Sequence, residues 1–196
     1  MTPFASDAEL CLDLLLARIS PHSQPFAPAF PGARRSAVLV ALAPSERGVE
    51  VLLTRRSMDM RTHRGEISFP GGRLDPGETA AEAAVREAHE EVGLDPALVT
   101  VEGELAHLNT IVSRSYIVPV IASLAAPVDV QPASPEVDRV LWVPLAEFTR
   151  HDTYRSERWG TPPTDRLLHF FELDDETVWG ATAAVIVQLL SSVERR

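Results

Sequence analysis

Glu87, Glu90 and Glu91 stand together in the stretch REAHEEVG, Arg86 to Gly93. On a helix turning about 100° per residue, Glu91 lies about 40° from Glu87, and Glu90 about 60° to the other side. One face therefore carries all three. The arrangement is unfavourable by itself. Like charges three and four residues apart repel by roughly a few tenths of a kcal/mol per pair, and a glutamate near a helix C-terminus meets its negative pole. A cation would offset both effects. Clustered carboxylate oxygens are hard ligands, suited to Mg²⁺ or Mn²⁺ rather than to a thiolate-bound metal. A metal so held can neutralise phosphate oxygens and lower the pKa of a bound water. The residues alone also allow a solvated acidic face.

The elements that must position these glutamates can be read around them. Thr79 and Glu82 have capping-box spacing and Gly93 is a helix stop, which predicts a helix over Thr79–Val92. Its apolar stripe is Ala81, Ala84, Val85, Ala88 and Val92, with the glutamates opposite. Before it, SMDMRTHRGEISFPGGRLDPGE carries four glycines and no period, and reads as a long loop of the kind that is usually functional. SAVLVALAP and VEVLLTRR read as strands around the turn SERG. Further strands are expected at VTVEGELAHL, YIVPVIASL, RVLWVPL and LLHFFEL, with a short helix near Leu145–Thr149 and a polar loop from there to Arg166. A closing helix is expected from about Thr177 to Val193. Residues 1–35 read as a short amphipathic helix and a Pro- and Ser-rich linker, and residues 36–196 as the main domain. Strands interspersed with helices in this order suggest an α/β class with a mixed sheet.

Composition narrows the function. The net charge is −10, which argues against a nucleic-acid or anionic-membrane binder. All 18 basic residues are Arg, so chemistry that needs Lys, such as a Schiff base or a Walker-type phosphate loop, is excluded. Cys11 is the single cysteine, so no disulfide or cysteine metal cluster forms within the chain. The N-terminus lacks a signal-peptide pattern, because Asp7, Glu9 and Asp13 interrupt it. A soluble, cytoplasmic protein is expected.

Between Gly72 and Leu94 the chain spells G-x5-E-x7-R-E-A-x-E-E-x-G-L, with Glu78, Arg86, Glu87, Glu90, Glu91 and Gly93 at fixed positions. This resembles the Nudix box, position for position. The resemblance implies an α/β/α sandwich with the box as a loop-helix-loop, and metal-dependent hydrolysis of nucleoside diphosphates linked to another moiety. It makes Glu87, Glu90 and Glu91 metal ligands, with Glu87 and Glu91 foremost, and adds the Gly72 carbonyl. It pairs Arg86 with Glu78 to orient the helix. The general base is left open between a box glutamate and a later-loop residue such as Glu136.

The preceding segment, Leu52 to Gly72, resembles the signature L-L-T-x-R-S-x3-R-x3-G-x3-F-P-G-G of the coenzyme A pyrophosphatase branch, without departure. That resemblance implies cleavage of CoA or its derivatives into 3′,5′-ADP and 4′-phosphopantetheine, or an acylated form of it. Charge agrees with it. Val51 to Arg73 holds five Arg against Asp59 and Glu66, whereas Leu74 to Leu94 holds six acidic residues against Arg86. An arginine loop beside a carboxylate helix suits a substrate with several phosphates. Arg56, Ser57, Arg61, Arg64 and Phe69 are the expected substrate residues. The alternatives are a Nudix hydrolase of ADP-ribose or NADH, and a non-catalytic nucleotide-binding module. Nucleic-acid and membrane partners are not expected, and a homodimer is left open.

Overall fold

The computed structural model describes residues 10–19, 24–110, 114–162 and 165–194. Its main sheet has eight strands: β1 (Arg34–Ser45), β2 (Gly48–Arg56), β3 (Ile67–Ser68), β4 (Gly71–Arg73), β5 (Thr100–Glu104), β6 (Leu108–Thr110), β7 (Ser115–Ser123) and β8 (Val137–Pro144). β1 runs parallel to β7, and every other pairing is antiparallel, so the sheet is mixed as expected. A second sheet of three strands holds β9 (Tyr154–Trp159), β10 (Arg166–Glu172) and β11 (Thr177–Trp179). The helices are α1 (Leu12–Leu16), α2 (Ala80–Val92) and α3 (Gly180–Glu194).

Alternation along β1 explains the layering. Ala37, Leu39 and Ala41 point to one face and pack with Ala80, Ala83, Ala84 and Ala88 of α2. Val40 and Leu42 point to the other and pack with Leu15 of α1 and with Ile186, Leu189 and Leu190 of α3. Small alanines on both α2 and β1 let that helix approach the sheet closely, whereas the α3 side is filled by larger aliphatic and aromatic side chains. The result is helix, sheet, helix.

Three local expectations change. The polar stretch before Arg166 is not all loop: Tyr154–Trp159 pairs with β10 as an edge strand, and its exposed RSERW lacks the apolar alternation that marks a half-buried strand. The closing helix starts at Gly180 rather than Thr177. Thr177–Trp179 pairs with β10, and Gly180, at φ 64°, turns the chain into the helix. The long loop contains the short strands β3 and β4. No helix among the described residues is long and apolar enough to cross a membrane.

Candidate active site

The site is built on β4 and α2. Thr79 caps α2: its hydroxyl accepts from Glu82 N–H while the Glu82 carboxylate accepts from Thr79 N–H. Gly93, at φ 71°, ends the helix, and its N–H donates to the His89 carbonyl. Between these ends, α2 crosses over the two glycines of β4. Gly72 pairs with Ala37 and Gly71 with Val38. A Cβ on Gly72 would fall inside the Glu87 carboxylate, and one on Gly71, at φ 157°, would strike the Ala37 carbonyl. The two glycines are the floor on which the carboxylates rest.

Glu91 departs from the sequence expectation. It does not face away from the apolar stripe but turns into the sheet, 7% exposed. Its Oε2 accepts from Gly71 N–H at 3.2 Å. The helix leaves room for it because the strand below has no side chains there. Burial pushes its pKa up to about 7. The Gly71 N–H and Arg56 pull it back down, while Glu87 and Glu136 push it further up. Glu87 is also raised, chiefly by burial, with partial relief from Arg86. The buried stripe of α2 is Ala80, Ala83, Ala84, Ala88 and Val92, while Ala81 and Val85 are half-buried on an outer groove.

Arg86 brings a positive charge to two of the three glutamates, Glu87 and Glu90, but not to Glu91. Its guanidinium grips Glu78 through Nε and Nη2 (2.8 and 3.1 Å), and through Nη1 it reaches Glu87 at 3.0 Å and Glu90 at 3.2 Å. It also donates to the Arg73 carbonyl, which ties α2 to β4. The hydrogen bond from Arg86 holds Glu78 below the usual carboxylate range. Glu90 stays out in solvent, its side chain 56% exposed. Among the described residues no three His, Cys, Asp or Glu side chains come together with metal-ligand geometry. What the site does offer is a pair, Glu87 and Glu91, over the backbone of Gly71 and Gly72. Buried carboxylates that repel each other and hold protons too tightly are the donor set that a hard divalent cation would relieve.

The substrate residues are brought together only in part. Arg56, at the end of β2, donates to Glu136 Oε2 at 3.3 Å and acts on Glu91 through space. Its buried Nε has no partner among the described residues. Ser57 N–H donates to the Glu136 carbonyl, and Ser57 Oγ accepts from Asp59 N–H. Arg64 is spent on the loop itself, donating from Nε to the Met60 carbonyl at 2.6 Å. Arg61 is exposed in the same loop. Phe69 corrects the expectation: it is 3% exposed and packs in the core on the α3 side with Ile67. An apolar ring gains more there than beside phosphates. Glu136 is, from the sequence, a candidate base in a loop before a strand, with nothing local to tie it to the site. The structure brings it to Arg56 and into the field of Glu91, a pairing that no local spacing encodes.

Comparisons with known proteins agree with this arrangement. The NUDIX domain model matches residues 33–177. The chain is 34% identical over 177 residues to Nudix hydrolase 22, chloroplastic, of Arabidopsis thaliana, covering 83% of this chain and 56% of that protein. It is 34% identical over 163 residues to an uncharacterized Nudix hydrolase, NudL, of Photorhabdus laumondii subsp. laumondii, covering 82% and 86% of the two chains. The chain thus spans a little over half the length of the plant relative and most of the bacterial one. A crystal structure of the M. smegmatis Nudix hydrolase RenU superposes with a TM-score of 0.51 at 31% identity, covering 60% of this chain and 74% of that one. The box, its helix and the mixed sheet that carries them are those of the Nudix family, to which this chain belongs.

Proposed function

We propose that this Nudix hydrolase cleaves the pyrophosphate bond of coenzyme A or its derivatives, releasing 3′,5′-ADP and 4′-phosphopantetheine or its acylated form. The observation that carries this is the position of Arg56. A single loop runs from Arg56 and Ser57 to Gly71 and Gly72, so the arginine end of the substrate signature and the floor of the carboxylate site are tied together. The Arg56 Nε is a buried donor without a partner among the described residues, suited to a phosphate oxygen.

Glu87 and Glu91 would hold Mg²⁺ or Mn²⁺, with the Gly72 carbonyl beside them and Glu90 joining once Arg86 releases it. Such a metal supplies charge neutralisation of the pyrophosphate and a more acidic bound water. The chain's own residues do the rest. Arg86, locked to Glu78, fixes the rotation of α2 so that Glu87 lies over Gly72. Arg56 steers a phosphate toward the carboxylates. A carboxylate takes the proton as water attacks phosphorus and the bridging P–O bond breaks to the leaving phosphate. Glu136 and a box glutamate are the two candidates for that carboxylate, and Arg56 holds Glu136 at the edge of the site.

Product analysis tests this. Purified protein with CoA and Mg²⁺ should yield 3′,5′-ADP and phosphopantetheine, and the products should vanish with EDTA or in Glu91→Gln. Cleavage of ADP-ribose or NADH without cleavage of CoA would remove the substrate assignment and keep the metal helix. Nucleotide binding without turnover of any of them would favour a sensor module.

A further inference from the structure

The chain from Gln24 to Ala33 lies against the main sheet as a strap, and a buried polar series holds it there. His107 links two other side chains: its Nε2 lies 2.8 Å from Glu104 Oε2 and its Nδ1 2.6 Å from the Tyr116 hydroxyl. Strap backbone ties into both. Gln24 N–H donates to Glu104 Oε2 at 3.0 Å, and Ala27 N–H donates to the Tyr116 hydroxyl at 2.8 Å. Ala29 N–H donates to Asn109 Oδ1 at 2.8 Å. A buried polar network is costly when half-satisfied, so a network completed by strap amides favours one strap position.

Held this way, the strap from Pro28 to Ala33, with Arg35, lines an open cavity of about 450 Å³. Among the described residues no acidic side chain lines it. Arg35 stands over the Phe26 ring at 4.4 Å, and Arg114 over Phe30 at 5.0 Å. Neither arginine has an ion-pair partner among the described residues, whereas Arg55, Arg56, Arg86, Arg139 and Arg150 are all paired with carboxylates. In a chain of net charge −10, an uncompensated cation lining a cavity attracts anions, and Arg114, over the lining residue Phe30, adds to its charge.

The cavity is also placed with respect to the carboxylates. Side chains alternate along β1, so Arg35 and Ala37 project from the same face. Gly72 pairs with Ala37, and Glu87 occupies the space where a Gly72 Cβ would be. Arg35 therefore leaves the sheet on the Glu87 side, about 7 Å along the strand at about 3.3 Å per residue. A ligand with one anionic group at the glutamates and another a few bonds away can reach both.

We infer that the strap cavity is a second phosphate subsite, taking a phosphate monoester on the ribose of a nucleotide. Arg35 is its main donor and Arg114 a supporting charge. The choice of nucleotide rests on the function proposed above, but the subsite has its own test. Binding of adenosine 3′,5′-bisphosphate and of 5′-AMP to the full chain is measured by calorimetry, for wild type, Arg35→Gln and Arg35→Lys. The bisphosphate should bind at least about tenfold more tightly than AMP. Arg35→Gln should abolish that difference while leaving AMP unchanged, and Arg35→Lys should restore part of it. Equal affinities in the wild type, no measurable bisphosphate binding, or equal weakening of both nucleotides in Arg35→Gln each overturn the subsite. The measurement involves no turnover, so its answer stands whether or not CoA is cleaved. Cleavage of CoA with no dependence on Arg35 in either assay would remove the subsite and keep the reaction.

Discussion

Glu91 carries its charge where a charge is disfavoured, and that has a measurable sign. Its pKa is pushed from 4.5 to about 7 by burial. The fold therefore gains stability from protonated Glu91, fully present below about pH 4.5 and lost as pH rises through 7. The window is worth about 3 kcal/mol at about 1.4 kcal/mol per unit. In EDTA, denaturant unfolding should show wild type less stable at pH 8 than at pH 5 by up to that amount through this group, and Glu91→Gln should flatten the difference. A variant as pH-sensitive as wild type would sink the assignment. Gly72→Ala makes a complementary test. The new methyl must displace the Glu87 carboxylate, so kcat/KM should fall about 10- to 100-fold, the scale of a disturbed metal shell. The melting temperature should move far less than a core cavity would move it.

At the scale of elements, α2 depends on its two ends. Thr79→Ala removes the hydroxyl half of the capping box and should cost about 1 kcal/mol in denaturant unfolding. Its kcat should change little, because the carboxylates lie two turns further on. This helix was legible to within one residue, since its cap, stop and apolar spacing are local signals. The carboxylate cluster was legible too, but not its direction. Which face of α2 meets the sheet depends on Ala83 and on the bare glycines of β4, so helical spacing alone groups Glu91 with the exposed glutamates. β9 was invisible because an edge strand with an exposed RSERW shows no period. Phe69 is illegible for the opposite reason: its position in the motif says nothing about which way the ring turns, and the core decides it. The strap was legible as a linker, while its anchors lie some 80 residues away in sequence.

At the scale of the molecule, the small sheet is tied to the large one by charge. Arg55 of β2 and Arg139 of β8 both donate to Glu176, beside β11, at 3.0 and 2.8 Å, and Thr182 of α3 donates to the Ile67 carbonyl of β3 at 3.1 Å. Glu176→Ala leaves two arginines without that partner and should lower stability by about 1–2 kcal/mol. The loss should shrink in 1 M salt if the coupling is electrostatic (1 M being about 3 Å of screening length). A salt-independent loss would assign Glu176 to packing instead. The pairing of β1 with β7 has a different kind of consequence. It joins Arg34–Leu42 to Ser115–Ser123 in parallel, with the arginine loop, β4 and α2 all lying between them in sequence. During synthesis the glutamates leave the ribosome well before the strand that closes the sheet beside β1. Until β7 arrives, the acidic helix has only part of a floor to rest on. A released fragment ending at Leu98 should therefore expose α2 to protease, and one extended past Leu124 should protect it better.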